Sequence, residues 1–147
     1  MKRALGIVLV WAAICPAFAF SHLEAQFRQV RESRMFNEPQ VLTGRFEYDV
    51  PDQVTWKYDS GVQAQLPEPM LRFIAKAVDG SYLQQSDDFI VEQSQNEVTL
   101  TPKKPRLKKL FSQIVIRFAG DGLAEQVVMT EATGDTTTIF FLNMTAR

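Results

Sequence analysis

The chain has 147 residues, 46% of them hydrophobic, with 16 basic and 17 acidic side chains and one cysteine. That length holds one domain of ordinary size and not two. The near-neutral balance argues against a general nucleic-acid binder, and one cysteine rules out a disulfide-stapled chain.

The first nineteen residues read as an export signal. Met1-Lys2-Arg3 is basic, Ala4 to Ile14 is apolar, and Pro16-Ala17-Phe18-Ala19 ends in a small-x-small site, so cleavage is expected after Ala19. The stretch is too short, and wrongly flanked, for a membrane span. Cys15 follows Ile14, where a lipoprotein signal calls for a small residue, so it reads as a cysteine that leaves with the signal. The exported domain is then 20–147, with 14 basic side chains against 17 acidic once Lys2 and Arg3 are gone. The periplasm is the expected destination. Stability must come from packing alone.

Leu23 to Arg31 ("LEAQFRQVR") opens the domain as a strand, or as a helical turn leading into one. Asn37-Glu38-Pro39 marks a turn. Val41 to Val50 and Val54 to Asp59 are the next strands. In "TGRFEYDVPDQVTWKY" Phe46 and Tyr48 alternate with Arg45, Glu47 and Asp49, and Val54, Trp56 and Tyr58 alternate with Thr55, Lys57 and Asp59. Four aromatic rings thus fall on one face, as a core or as a surface kept for an apolar guest.

The middle is helical in pattern. "PEPMLRFIAKAVDG" begins with Pro67 and Pro69, ends at Asp79-Gly80, and spaces Leu71, Ile74, Ala75 and Val78 on one helix face. Ser81 to Asp88 fits a second helical turn capped by Ser81. Strands then resume. Phe89 to Gln93 and Glu97 to Thr101 form a hairpin through Gln95-Asn96. Leu110 to Phe118 follows, with Ile114, Ile116 and Phe118 on one face, then Leu123 to Thr130 and Thr136 to Met144. The expected domain is mainly β, about eight antiparallel strands in two groups around a short helical segment. Alternation leaves one face polar and wet.

Catalytic sets are not visible. His22, the only histidine, has no partner of the right kind nearby in sequence, and Ser81, Ser86 and Ser112 lack a histidine for a triad. Asp87-Asp88 reads as a helix-end and turn pair, since adjacent side chains point apart. No metal-ligand spacing, phosphate loop or cofactor fingerprint stands out. One charged feature is local: Lys103, Lys104, Arg106, Lys108 and Lys109 crowd "KKPRLKK". A solvated connection is its plainer reading. The functional one is a docking patch for an acidic partner or anionic lipid headgroups.

"AQFRQVR", "LTGRFEYDVPDQVTWKY", "VTLTPKKPRLKKLFSQIVIRF" and "GLAEQVVMTEATGDTTTIFFLN" stand in an order that resembles the periplasmic outer-membrane lipoprotein carriers, the LolA family. The resemblance implies an α+β fold: a curved antiparallel sheet forming an unclosed half-barrel, its concave apolar face covered by a helical lid. It implies a carrier, not an enzyme. Members receive acylated lipoproteins from an inner-membrane ABC transporter and hand them to an outer-membrane acceptor. By this likeness Phe46, Tyr48, Val54, Trp56, Tyr58, Ile114, Ile116 and Phe118 would line the concave face, with Leu71, Ile74 and Val78 under the lid. The chain departs from the family in three places. The N-terminal helix is absent or reduced to a few residues around Phe20 to Ala25. The hairpin after the Trp strand is missing. Val50 stands where the best-known carriers have an Arg linked to lid control. These departures keep a glycolipid or aryl-polyene lipid beside lipoprotein as cargo. A protein-interaction or sensor module on the same fold is the alternative reading.

Overall fold

A computed structural model describes residues 21–50, 53–61, 74 and 87–147. The helical segment expected from Pro67 to Asp79, with Leu71 and Val78, lies outside the described residues except for Ile74, as does the turn from Ser81 except for Asp87 and Asp88.

Eight strands form one antiparallel sheet: β1 (His22–Glu32), β2 (Gln40–Asp49), β3 (Gln53–Tyr58), β4 (Phe89–Ser94), β5 (Glu97–Pro102), β6 (Phe111–Phe118), β7 (Ala124–Glu131) and β8 (Thr136–Ala146). Their order is β3-β2-β1-β8-β7-β6-β5-β4, so among the described residues β3 and β4 are unpaired edges and the sheet does not close. The two sequence groups are therefore one sheet, joined where β1 pairs with β8. Ser21 and His22 N–H donate to the Arg147 carbonyl, and Arg147 N–H donates to that of His22.

Each strand alternates buried and exposed residues, as a sheet with one packed face requires. Leu23, Ala25, Phe27 and Gln29 of β1 point inward between Phe46 and Tyr48 of β2 and Ile139 and Phe141 of β8. Of the two alternatives for the N-terminal helix, absent or reduced to a few residues around Phe20 to Ala25, the described end fits the first: His22 to Ala25 are strand, paired with Phe46 to Asp49. The β4–β5 hairpin turns through Gln95 and Asn96 as expected, with Gln95 at φ 45°. A two-residue loop that follows the strand twist needs such a left-handed residue.

The "KKPRLKK" segment is not an irregular connection. It contains one helical turn, α1 (Pro105–Lys108), with Pro105 in its first turn, where a missing N–H costs nothing. The following strand accordingly starts at Phe111, not Leu110. No residue of α1 is buried.

The inner face is concave, and ring distances show it. Trp56 on β3 and Phe141 on β8 stand three strand spacings apart, about 14 Å in a flat sheet. Their ring centroids are 6.5 Å apart. Phe46 and Phe141, two spacings apart, approach to 5.3 Å across the small Ala25. Phe27 and Trp56 stack at 4.1 Å over β2. Gly44 is the β2 residue beneath them, paired with Phe27 on one side and Tyr58 on the other. A Cβ there would meet the Lys57 carbonyl oxygen at 2.0 Å and Phe27 Cζ at 2.5 Å. Only glycine lets the ring and the neighbouring backbone come so close.

Candidate functional site

The inner face divides into two halves by chemistry. Across β3, β2, β1 and β8 it is aromatic: Phe27, Phe46, Tyr48, Trp56, Tyr58 and Phe141, all buried. Beyond the rings stacked over Gly44, Phe46 meets Trp56 edge-on at 5.7 Å and Phe27 meets Tyr58 edge-on at 5.5 Å. Across β7 to β4 the face is largely aliphatic. Ile114 pairs with Met129 and Leu100, and Ile116 with Val127 and Val98. Phe89 and Phe111 stack at 6.1 Å. Ile74, helical and 1% exposed, belongs to the same buried cluster. A helical side chain from outside the sheet thus packs on this face.

Of the lining residues expected from sequence, Phe46, Tyr48, Trp56, Tyr58, Ile74, Ile114, Ile116 and Phe118 are buried in this one cluster, and Val54 packs half-buried against it. Leu71 and Val78 lie outside the described residues. The sequence reading passed over much of the face: Leu23, Phe27, Val98, Leu100, Val127, Met129, Ile139 and Phe141. Alternation in "LEAQFRQ" carried the signal for β1, where Leu, Ala, Phe and Gln fall on one side.

Among the described residues, several polar side chains interrupt this apolar face, buried Thr137 of β8 among them. Gln29 is 2% exposed, and Tyr58 Oη donates to its Oε1 at 2.8 Å. Trp56 Nε1, on edge strand β3, is shut off from solvent without a hydrogen-bond partner. On the other edge strand, Gln93 falls on the same side as Phe89 and Val91, opposite buried Val98, and neither Nε2 nor Oε1 of its amide has a partner.

On the outer face, His22 corrects the expectation that it has no partner. Its Nδ1 is 2.6 Å from Asp49 Oδ1 and its Nε2 3.5 Å from Glu24 Oε2. The Asp49 hydrogen bond holds the imidazole above its ordinary value of 6.5; burial opposes this, and Glu24 adds to the rise. The register makes the group: His22 lies opposite Asp49, and Glu24 opposite Glu47. Ligand atoms of His22, Glu24 and Glu47 lie within 4.8 Å of one another. An imidazolium shared among carboxylates fits the group as it stands.

Three further ion pairs lie at the far end of the sheet. Arg31 spans Glu131 and Asp135, its Nε 3.2 Å from Glu131 Oε2 and its Nη2 3.4 Å from Asp135 Oδ2. Lys104 Nζ is 2.9 Å from Asp88 Oδ1, which raises its proton affinity and ties the basic segment to the start of β4. Arg106 and Lys108 project from the unburied α1. No helix among the described residues is long and apolar enough to cross a membrane.

Residues 62–147, more than half of the chain, match the model of the family described as outer membrane lipoprotein carrier protein LolA. The matched part spans β4 to β8; the aromatic strands β2 and β3 precede it. No curated protein sequence matches significantly. Among solved structures, the chain is similar to a domain assigned to outer membrane lipoprotein sorting from Vibrio parahaemolyticus (9% identity, 97% of this chain and 92% of that one, TM-score 0.41). It is similar to a LolA superfamily protein from Nitrosomonas europaea (7% identity, 95% and 92%, TM-score 0.41). A DUF1329 family protein from Desulfovibrio piger gives 9% identity, 97% and 92%, and a TM-score of 0.37.

Proposed function

We propose that this chain, which belongs to the LolA family of outer membrane lipoprotein carriers, binds the acyl chains of lipoproteins or related lipids on its concave face and carries them across the periplasm towards the outer membrane. The observation that carries the reading is the inner face itself. An unclosed sheet with two unpaired edges concentrates its large apolar side chains on one concave side, and a helical residue from outside the sheet, Ile74, packs there. Such a face can exchange its own cover for an acyl chain, each methylene hidden from water being worth about 0.8 kcal/mol. Transfer needs binding and release, without covalent chemistry. An inner-membrane ABC transporter or lipid exporter would supply the cargo and an outer-membrane acceptor would take it. Phe46, Tyr48, Val54, Trp56, Tyr58, Ile114, Ile116 and Phe118 are the proposed lining, with Leu71, Ile74 and Val78 beneath the lid.

A second reading, a docking module for an acidic partner, is favoured by one feature. The turn α1 packs only Leu107, half-buried, against the core and presents Arg106 and Lys108 beside Lys103, Lys104 and Lys109. Reversing those charges should abolish partner binding and leave acyl binding intact if both functions coexist.

The test is native mass spectrometry of the exported protein purified from its own periplasm, with lipid extraction of what it holds. A co-purifying acylated species is expected. A folded protein that carries none, and that also fails to bind a fluorescent fatty acid, would overturn the carrier reading.

A further inference from the structure

On the outer face of β1 and β2, strand register gathers a group that acyl binding does not use. His22 and Glu24 stand two residues apart on β1, so both side chains leave the same side of the strand. Asp49 lies opposite His22 and Glu47 opposite Glu24, which sets one imidazole and three carboxylates on four adjacent positions. Asp49 Oδ1 is 2.6 Å from Nδ1. An ionised carboxylate can only accept, so Nδ1 carries the proton, and Nε2 is left toward Glu24 and Glu47. Nε2 is shut off from solvent and makes no hydrogen bond. It stands 3.5 Å from Glu24 Oε2, beyond the usual N–H···O range. Two ligand atoms held at about 2.0–2.1 Å by one tetrahedral ion stand about 3.3–3.4 Å apart. A proton on Nε2 suits the charge of the group but makes only a long contact, whereas a divalent ion meets both carboxylates.

We propose that His22 Nε2, Glu24 and Glu47 bind a zinc(II) ion on the outer face of the sheet, with Asp49 holding the imidazole from behind. Ligand atoms of the three lie within 4.8 Å of one another, so the widest pair closes by at most about 1.4 Å (4.8 less 3.4), within the reach of a glutamate's torsions. Two carboxylates balance the charge of the ion. Arg147 opposes positive charge at His22, and three carboxylates outnumber it. An imidazole ligand favours zinc over calcium or magnesium, which take oxygen ligands. A carboxylate on the far ring nitrogen fixes tautomer and orientation, the usual support of a metal-bound histidine. Leu23 and Tyr48 pair between these residues and point inward, buried, so the ion would clamp β1 to β2 behind the aromatic half. It would touch no inner-face side chain and is independent of the carrier reading.

The experiment titrates zinc chloride into the chelator-treated exported protein, followed by calorimetry and by nitrogen NMR of its single histidine. One ion per chain is expected, with the Nε2 resonance displaced and the Nδ1 proton retained. A hundredfold excess over Kd should raise the melting temperature by about 5–10 °C. Calcium and magnesium at the same concentration should change neither the resonance nor the melting temperature. Asp49→Asn disturbs only the support of the ring and should weaken zinc about tenfold. Glu47→Gln removes a ligand and should weaken it further, while the metal-free variant melts within about 2 °C of the wild type, as an outer-face change does. No zinc binding at millimolar concentration, binding that leaves the Nε2 resonance in place, or binding unchanged by Glu47→Gln would overturn the site.

Discussion

Gly44→Ala tests whether the concave face depends on a close approach at one residue. The added Cβ would lie 2.0 Å from the Lys57 carbonyl oxygen and 2.5 and 2.8 Å from two atoms of the Phe27 ring. Ordinary contact begins at 3.4 Å, so β2 and β3 must part by about 1.4 Å (3.4 less 2.0) or the strand must twist away. The Lys57 oxygen is backbone and cannot rotate aside. Stretching two ladder hydrogen bonds around the pair of Gly44 and Tyr58 costs about 1 kcal/mol each. Displacing Phe27 from its stack on Trp56 adds about 1–3 kcal/mol of overpacking strain. A loss of about 3–5 kcal/mol follows, a fall of about 10–20 °C in melting temperature for a domain of this size. Urea and thermal unfolding of the exported chain would measure it. In a Phe27→Ala background the ring contact is gone, so Gly44→Ala should cost about 1–2 kcal/mol less there than in the wild type. A substitution that costs under about 0.5 kcal/mol in the wild type would refute the close approach and, with it, the packing of the rings over Gly44.

Tyr58→Phe leaves Gln29 Oε1 buried without its donor and should cost about 1–3 kcal/mol in urea unfolding; a neutral variant would mean that the pair is hydrated. Arg31→Leu removes a half-exposed clamp on Glu131 and Asp135 and should cost about 1 kcal/mol at low salt and less in 1 M NaCl, since such pairs are screened; a loss independent of salt would assign the effect to packing against Phe36, over whose ring the guanidinium lies. The His22 imidazole is held above 6.5 in the fold, so its contribution is fully present below pH 6.5 and is lost as pH rises through the folded value. Asp49→Asn should lower that value and flatten the decline, and an NMR titration of this chain's single histidine reads it directly; an unchanged titration would remove Asp49 as the cause.

Strand order and curvature were not equally legible. Alternation alone located Phe46, Tyr48, Trp56 and Tyr58 on the face they occupy, because a strand with one buried side writes its register into every second residue. β1 was ambiguous for the opposite reason. "LEAQFRQVR" is rich in helix formers, and what makes it a strand is pairing with β2 on one side and β8 on the other, more than 100 residues along the chain. No local propensity encodes that. The His22 cluster was hidden in the same way: Asp49 is 27 residues distant and becomes a neighbour only through the β1–β2 register. The turn α1 was within reach, since Pro105 after Lys104 is a helix-start signal, but the five cations of the surrounding "KKPRLKK" are the stronger local signal. Gly44 stood in view as the glycine of "TGRF", yet its reason, a ring from another strand lying over it, is tertiary.

The fully buried aromatic half has a consequence for how a carrier on this face would work. Phe27, Phe46 and Trp56 already fill the space over Gly44, each 9% exposed or less, and are locked by stacking across three strands. Opening that half would forfeit several kcal/mol of packing for each ring lifted. The aliphatic half is held less specifically. Ile114, Ile116, Val127 and Met129 have no ring geometry to satisfy, and methionine adapts its shape at little cost. An incoming chain of sixteen carbons brings about 12 kcal/mol of burial at most. Much of that must offset uncovering whatever packs there, Ile74 included, and ordering the chain itself. Affinity is then a difference between two covers of one surface. On this argument the aromatic half is the fixed wall and the aliphatic half the adjustable one. Substitutions at Met129 should change acyl affinity more than stability, and substitutions at Phe27 the reverse. Fluorescent fatty-acid titration beside urea unfolding of Met129→Ala and Phe27→Leu would decide it, and equal ratios of binding loss to stability loss in the two variants would contradict the division.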